Sequence, residues 1–108
     1  MAKASYWQRG ESLDYKNATS EIIEANTIID LTTRIGIAGT TINPNEVGSV
    51  HVCGVYEIPK TATGEIAMGA AVYFDGTGIN TTTSGTPAGY AAAAAAASDE
   101  TVLVKLLG

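Results

Sequence analysis

Apolar residues recur along the chain in short runs with a period of two, and the runs are separated by clusters of Gly, Pro, Asn, Asp and Thr. Because successive side chains of a strand point to opposite faces, this pattern predicts strands rather than helices. They are expected over residues 12–15, 26–31 (with Ile28 and Ile29), 34–38 (with Ile35 and Ile37), 48–58, 70–75, 78–82 and 101–106. Ala38-Gly39-Thr40, Asn43-Pro44-Asn45, Thr63-Gly64-Glu65, Asp75-Gly76-Thr77-Gly78 and Ser84-Gly85-Thr86-Pro87 supply the turns. Several short strands at this spacing predict an all-β fold, a small single-domain β-sandwich or barrel. No segment carries a long apolar run at helical spacing.

The clearest run is residues 49–58, where Val50, Val52, Tyr56 and Ile58 share one face with Gly54 in step, and His51, Cys53 and Val55 share the other. The first set is expected in the core, the second on a further packed face or a subunit contact. Pro59 ends the ladder because it has no N–H to donate. The seven alanines 91–97 are the ambiguous element. Alanine has the highest helix propensity, but so short a helix is marginal and offers no side chain to anchor it. Tyr90 before the tract and the alternating Val102, Val104 and Leu106 after it favour a strand of a hairpin, with a helix as the alternative. A weak internal duplication relates Ile23-Glu24-Ala25-Asn26-Thr27-Ile28-Ile29 to Ile66-Ala67-Met68-Gly69-Ala70-Ala71-Val72. It is compatible with a two-half β structure.

At the N-terminus, residues 2–11 carry Tyr6 and Trp7 with no periodicity and are expected to form an extended arm; the division is residues 1–12 as arm and 13–108 as one β domain. Composition narrows the function classes. Hydrophobic residues at 45% exclude intrinsic disorder, and charged residues at 16% leave a surface dominated by neutral Thr, Ser, Asn, Gly and Ala. A net charge of −5, with Lys3, Arg9, Lys16, Arg34, Lys60 and Lys105 scattered, speaks against nucleic acid, whose phosphates require clustered cations. Cys53 alone cannot form an internal disulfide, and no secretion signal or membrane-length apolar run is legible, so synthesis in a host cytoplasm is expected.

Candidate chemistry is sparse. Gly54-Val55-Tyr56-Glu57-Ile58-Pro59-Lys60-Thr61 has the spacing of a phosphate-binding loop, with Pro59 in place of the second Gly. Such a loop needs successive backbone donors around the phosphates, and Pro supplies none. A strand end followed by a turn accounts for these residues better. His51 and Cys53 could begin a metal site, but two ligands are too few, and no Gly-x-Ser-x-Gly elbow surrounds any serine. Neither a catalytic residue nor a cofactor, metal or small-molecule substrate is therefore expected. The neighbouring carboxylates Glu21 with Glu24 and Asp99 with Glu100 read as surface and turn charges. The triplets Asn17-Ala18-Thr19 and Asn80-Thr81-Thr82 match a glycosylation acceptor, which carries no meaning in a protein made in the cytoplasm.

A resemblance enters through the order of these motifs. The arm ending in Gly10-Glu11-Ser12-Leu13-Asp14-Tyr15-Lys16-Asn17-Ala18-Thr19, then Gly36-Ile37-Ala38, Gly48-Ser49-Val50-His51-Val52-Cys53-Gly54-Val55-Tyr56-Glu57-Ile58-Pro59-Lys60, Gly69-Ala70-Ala71-Val72-Tyr73-Phe74-Asp75 and Gly89-Tyr90-Ala91 resemble the small phage proteins of the DUF2190 group. That group is regarded as capsid decoration, or cement, proteins of tailed bacteriophages, and is sometimes labelled a predicted RecA/RadA-type recombinase. The chain departs from the group's pattern at residues 92–97, where a more varied strand is expected, and at Asn26, where Gly is commoner. The resemblance implies a β-rich body that forms a homotrimer, binds the major capsid protein on the outer surface of the virion and stabilises the shell. The recombinase label conflicts with Pro59, the acidic balance and the short chain; an ATP-using DNA-binding protein and a generic β adaptor remain the alternatives. Within this reading Ser5, Tyr6, Trp7, Gln8 and Leu13 are the candidate capsid-binding residues, as an arm that adds a strand to the capsid while Trp7 fills a pocket. The competing role for Trp7 is packing back onto its own body.

Overall fold

The computed structural model describes residues 1–107, and among them it contains nine strands and no helix. They are β1 (Ser12–Lys16), β2 (Ile28–Asp30), β3 (Ile35–Ala38), β4 (Val47–His51), β5 (Val55–Pro59), β6 (Ala71–Phe74), β7 (Ile79–Asn80), β8 (Thr86–Ala91) and β9 (Thr101–Leu106). Two antiparallel sheets result, one in the order β1-β4-β3-β2 and one in the order β5-β9-β8-β6-β7. In the second sheet, an isolated parallel bridge between Lys60 and Ile79 joins the β5 edge to β7. That sheet thus curls toward a barrel, while the two sheets together form a sandwich.

The main core lies on the inner face of the second sheet. Ile58, Ile66, Val72, Phe74, Ile79, Val102, Val104 and Leu106 are buried there, joined by Ile35 and Ile37 of β3 from the first sheet, with Ile28 and Tyr56 packed alongside. A smaller cluster on the other face of the first sheet holds Ile29, Ala38 and Val50, flanked by the half-buried Tyr15, Ile23 and Leu31. The isoleucine-rich β2–β3 hairpin therefore buries side chains on both of its faces, which is why it reads as a continuous apolar run.

Two expectations are corrected by this architecture. Residues 48–58 do not form one strand: β4 ends at His51, the chain turns through Val52, Cys53 and Gly54, and β5 begins in the other sheet. Gly54 takes φ = +113°, a conformation that side-chain-bearing residues avoid. Alternation survives the turn, since Val50, Val52 and Ile58 are buried and Tyr56 is half-buried, so periodicity alone carried no sign of the break. The alanine tract is neither strand nor helix over most of its length. Ala91 closes β8 and Ala95 forms a single bridge to Ile66, while residues 92–94 and 96–97 lie in the connection to β9. The hairpin it was expected to build does exist, with Tyr90 opposite Lys105 and Ala91 opposite Val104. Its first strand is displaced toward Thr86, in a stretch expected to turn. Pro87 is tolerated in β8 because β9 pairs only with Gly89, Tyr90 and Ala91, leaving no ladder bond on that side at Pro87.

The weak duplication in sequence is a duplication of structure. β1, β2, β3 and β4 correspond to β5, β6, β8 and β9, since both sheets have the same strand order with β7 added to the second. The bridge between Ile23 and Ile42 recurs between Ile66 and Ala95. Asn26 N–H donates to the Ala38 carbonyl as Gly69 N–H does to that of Ala91, and both Asn26 and Gly69 have positive φ. The pairs Gly39 to Ser49 and Ala92 to Leu103, and Val52 to Glu11 and Leu106 to Gly54, repeat likewise. Gly36 and Gly89 hold matching places: a Cβ on the first would press on Val50 and the His51 carbonyl, and on the second would run into the Lys105 carbonyl.

Candidate functional site

Ser5, Tyr6, Trp7 and Gln8 all lie exposed on a segment without regular structure that precedes β1. Trp7 is 89% exposed and Tyr6 83%, so neither ring packs against the body. The arm joins the body where the Glu11 carbonyl accepts a hydrogen bond from Val52 N–H at 3.0 Å, continuing the β1–β4 ladder. Gly10, at φ = +81°, turns the chain just before that anchor. Leu13 belongs not to the arm but to β1, opposite Val50, and projects from the same face as the half-buried Tyr15. Physically, an extended segment with unpaired backbone groups and two large amphipathic rings can add a strand to another protein and seat an aromatic anchor.

The run with phosphate-loop spacing has other geometry. Val55–Pro59 is the edge strand β5, paired along its length to β9, so its N–H groups point alternately toward β9 and away from it and do not converge on one point as a phosphate-binding loop requires. The Lys60 ammonium donates to the carbonyls of Ala62 (3.0 Å) and Ala97 (3.3 Å), so it ties the alanine connection to the end of β5. Thr61 Oγ1 donates to Asp75 Oδ2 at 2.8 Å. His51 is half-buried with its ring beside Gly39, where a Cβ would lie 2.6 Å from Nε2, and Cys53 is a half-buried free thiol in the β4–β5 turn. Among the described residues no three His, Cys, Asp or Glu side chains converge.

Among the described residues the one carboxyl with a shifted pKa is Asp75, after β6. Backbone N–H groups of Gly78 (2.9 Å) and Thr77 (2.8 Å) donate to its Oδ1, while Thr61 and Asn80 (3.1 Å) donate to Oδ2. These bonds, that from Gly78 foremost, hold its pKa below the ordinary value. Every donor belongs to the β6–β7 hairpin or to the end of β5, so this carboxylate fixes the hairpin that curls the second sheet. Nearby, Asp30 Oδ2 accepts from Thr86 Oγ1 at 2.9 Å, linking the two sheets.

A surface that sequence reasoning did not single out lies on the outer face of the second sheet. Val55, Lys105, Tyr90 and Ala71 are register partners in one row across β5, β9, β8 and β6. With Leu103, two residues from Lys105 on β9 and on the same face, Val55, Tyr90 and Ala71 leave an exposed, largely apolar strip. The signal was present as alternation, Val102, Val104 and Leu106 inward against Leu103 and Lys105 outward, but only the inward set was given a role.

The protein has an exposed aromatic arm, a duplicated β body and, among the described residues, no cluster of metal-ligating groups, and comparison with known proteins decides the family. A model of phage cement proteins matches residues 7–106. The chain belongs to the phage cement protein family. The family is one of structural proteins of the phage capsid, and the match begins at Trp7 and takes in both halves of the body. No curated protein and no solved structure matches the chain significantly.

Proposed function

We propose that this cement protein binds the outer surface of the assembled phage shell through its N-terminal arm, contacts the major capsid protein there, and stabilises the shell as a homotrimer. The observation that carries the reading is the exposure of Tyr6 and Trp7 on a segment outside the folded body. Aromatic rings left in water are costly unless another surface covers them, and interface aromatics are among the side chains that contribute most to binding. Ser5 and Gln8 flank the rings and supply main-chain donors and acceptors for an added strand. The mechanism is adhesion. A ligand present only on the assembled shell lowers the free energy of that state relative to dispersed subunits, and stabilisation grows with occupancy.

The test is to mix purified protein with undecorated capsids of its own phage, then follow co-sedimentation and the temperature at which the shells rupture. Saturable binding with a raised rupture temperature is expected. Absence of binding, or binding without a change in rupture temperature, would refute the reading.

A further inference from the structure

The duplication leaves two surfaces whose counterparts within the same molecule are covered, and the coverage is reciprocal. In the first half, β2 and β3 present Ile28 and Ile37 to the core of the second half, and Ile37 is only 3% exposed. The corresponding residues of the second half are Ala71 and Tyr90, placed by the pairings of Ile28 with Ile37 and of Ala71 with Tyr90. Both are exposed, Tyr90 at 48%. The same holds along the strip: half-buried Ser12 and Ser49 of the first half correspond to Val55 and Leu103, which are exposed and apolar.

On the opposite faces the relation runs the other way. Tyr56, Ile58 and Ile66 of the second half line the main core. Their counterparts in the first half are Leu13, Tyr15 and Ile23; Leu13 is exposed, and the other two are half-buried at the rim of the small cluster. Each half thus has one face shaped to cover and one to be covered. Within the molecule only the contact of the first half's outer face with the second half's inner face is made.

We infer that a second copy of this chain makes the missing contact: the strip Val55, Ala71, Tyr90 and Leu103 of one copy seats on Leu13, Tyr15, Ile23 and Leu31 of the next. The occupant follows from the internal repeat, because a face homologous to the strip already packs on a face homologous to the Leu13 patch inside every molecule. Such a contact is head-to-tail, joining different surfaces on the two copies, and it gives a closed ring where the rotation closes. Around that ring the covalent and non-covalent junctions alternate between equivalent β halves. The inference rests on the self-association in the proposed function and supplies its surfaces, but it is independent of capsid binding and is read in capsid-free solution.

The test uses two single variants at exposed positions, Tyr90→Glu and Leu13→Glu. Glu at position 90 stands opposite Lys105 in the register, so the strand is not left with an isolated charge. Circular dichroism and thermal melts first establish that both fold. In sedimentation velocity the wild type is expected as an oligomer and each variant as an 11.1 kDa monomer. Mixing the two variants is the decisive arm, since each retains the surface the other has lost. At concentrations about a hundredfold above those that assemble the wild type, which compensate for the lost avidity of a ring, the mixture is expected to form a 1:1 dimer and nothing larger. A monomeric wild type, variants that keep the wild-type mass, or a mixture that stays monomeric would each overturn the inference. Failure of capsid binding with this pattern intact would instead count against the proposed function alone.

Discussion

Among the described residues Asn17 is the only fully buried polar side chain, and its environment explains a triplet that carried no meaning in the sequence. Its Nδ2 donates to the carbonyls of Glu21 (2.7 Å) and Ile42 (3.0 Å), and its Oδ1 accepts from Thr19 N–H (3.0 Å) and Thr19 Oγ1 (2.6 Å). Asn17-Ala18-Thr19 is thus a hydrogen-bonded knot that closes the loop after β1. The corresponding place in the second half is taken by Lys60, which likewise ties down two carbonyls. Asn17→Ala leaves the Ile42 carbonyl buried without its side-chain donor, so a loss of about 2 kcal/mol is expected, measured by urea unfolding. Asp75 gives a pH-dependent counterpart. Its pKa is lowered in the folded state, so its contribution is fully present above the ordinary value of 3.8 and disappears as pH falls through the lower folded value. The melting temperature of wild type should therefore exceed that of Asp75→Asn at pH 5 and above, with the gap narrowing below about pH 4. A gap unchanged down to pH 2 would show that the carboxylate's charge is irrelevant to the hairpin. In sequence both stretches read only as turns: most of their partners are local, but the bonds that tie them to the body, Asn17 to the Ile42 carbonyl and Thr61 to Asp75, come from other loops and are not visible as spacing.

The strands themselves were largely legible, since burial on one face imposes alternation that a reader can follow. β9 was expected at its observed bounds, and β1, β3 and β6 to within one or two residues. The split of residues 48–58 was hidden because the turn consumed residues without shifting the phase of the apolar positions. The alanine tract was hidden for the opposite reason: identical small side chains carry no phase. The duplication was legible only as a trace, because the two halves share turn geometry and backbone bonding more than side chains. Gly36 and Gly89 permit a comparison of the halves. Gly89 has φ = +141° and its hypothetical Cβ collides with a main-chain carbonyl, whereas at Gly36 the closest atom is a Val50 methyl at 2.5 Å. A side chain can turn aside and a paired backbone cannot, so Gly89→Ala is expected to lose more than about 3 kcal/mol and Gly36→Ala about 1–2 kcal/mol. Chemical denaturation of the two variants reads this directly, and equal losses would contradict it.

At the scale of the whole molecule, what holds the body together and what the body is for are separable. The cores are made by residues between Tyr15 and Leu106, and among the described residues the backbone hydrogen bond that anchors the arm is the one accepted by the Glu11 carbonyl. The expectation that large aromatics near a terminus answer to something outside periodicity was available from the sequence, whereas their exposure was not, because composition does not say where a free segment lies. Deletion of residues 2–9 removes Tyr6 and Trp7 and leaves Gly10, Glu11 and the anchoring bond to Val52 in place. If the arm is the capsid-binding element, this truncated protein keeps the melting temperature and oligomeric state of the full chain but no longer decorates shells, and a fusion of residues 1–11 to an unrelated soluble carrier competes for the same sites. The substitution Trp7→Ala alone should weaken binding by about 2 kcal/mol, roughly thirtyfold in affinity, if the ring is a central anchor. If Trp7 were instead part of the body in the assembled state, the deletion would lower the melting temperature or dissociate the oligomer before any capsid was added. Full capsid affinity after deletion would move the binding surface to the body; since the exposed strip of the second sheet and the Leu13 patch are the surfaces inferred to meet neighbouring copies, the loops at the ends of the two sheets would be the surface to map next.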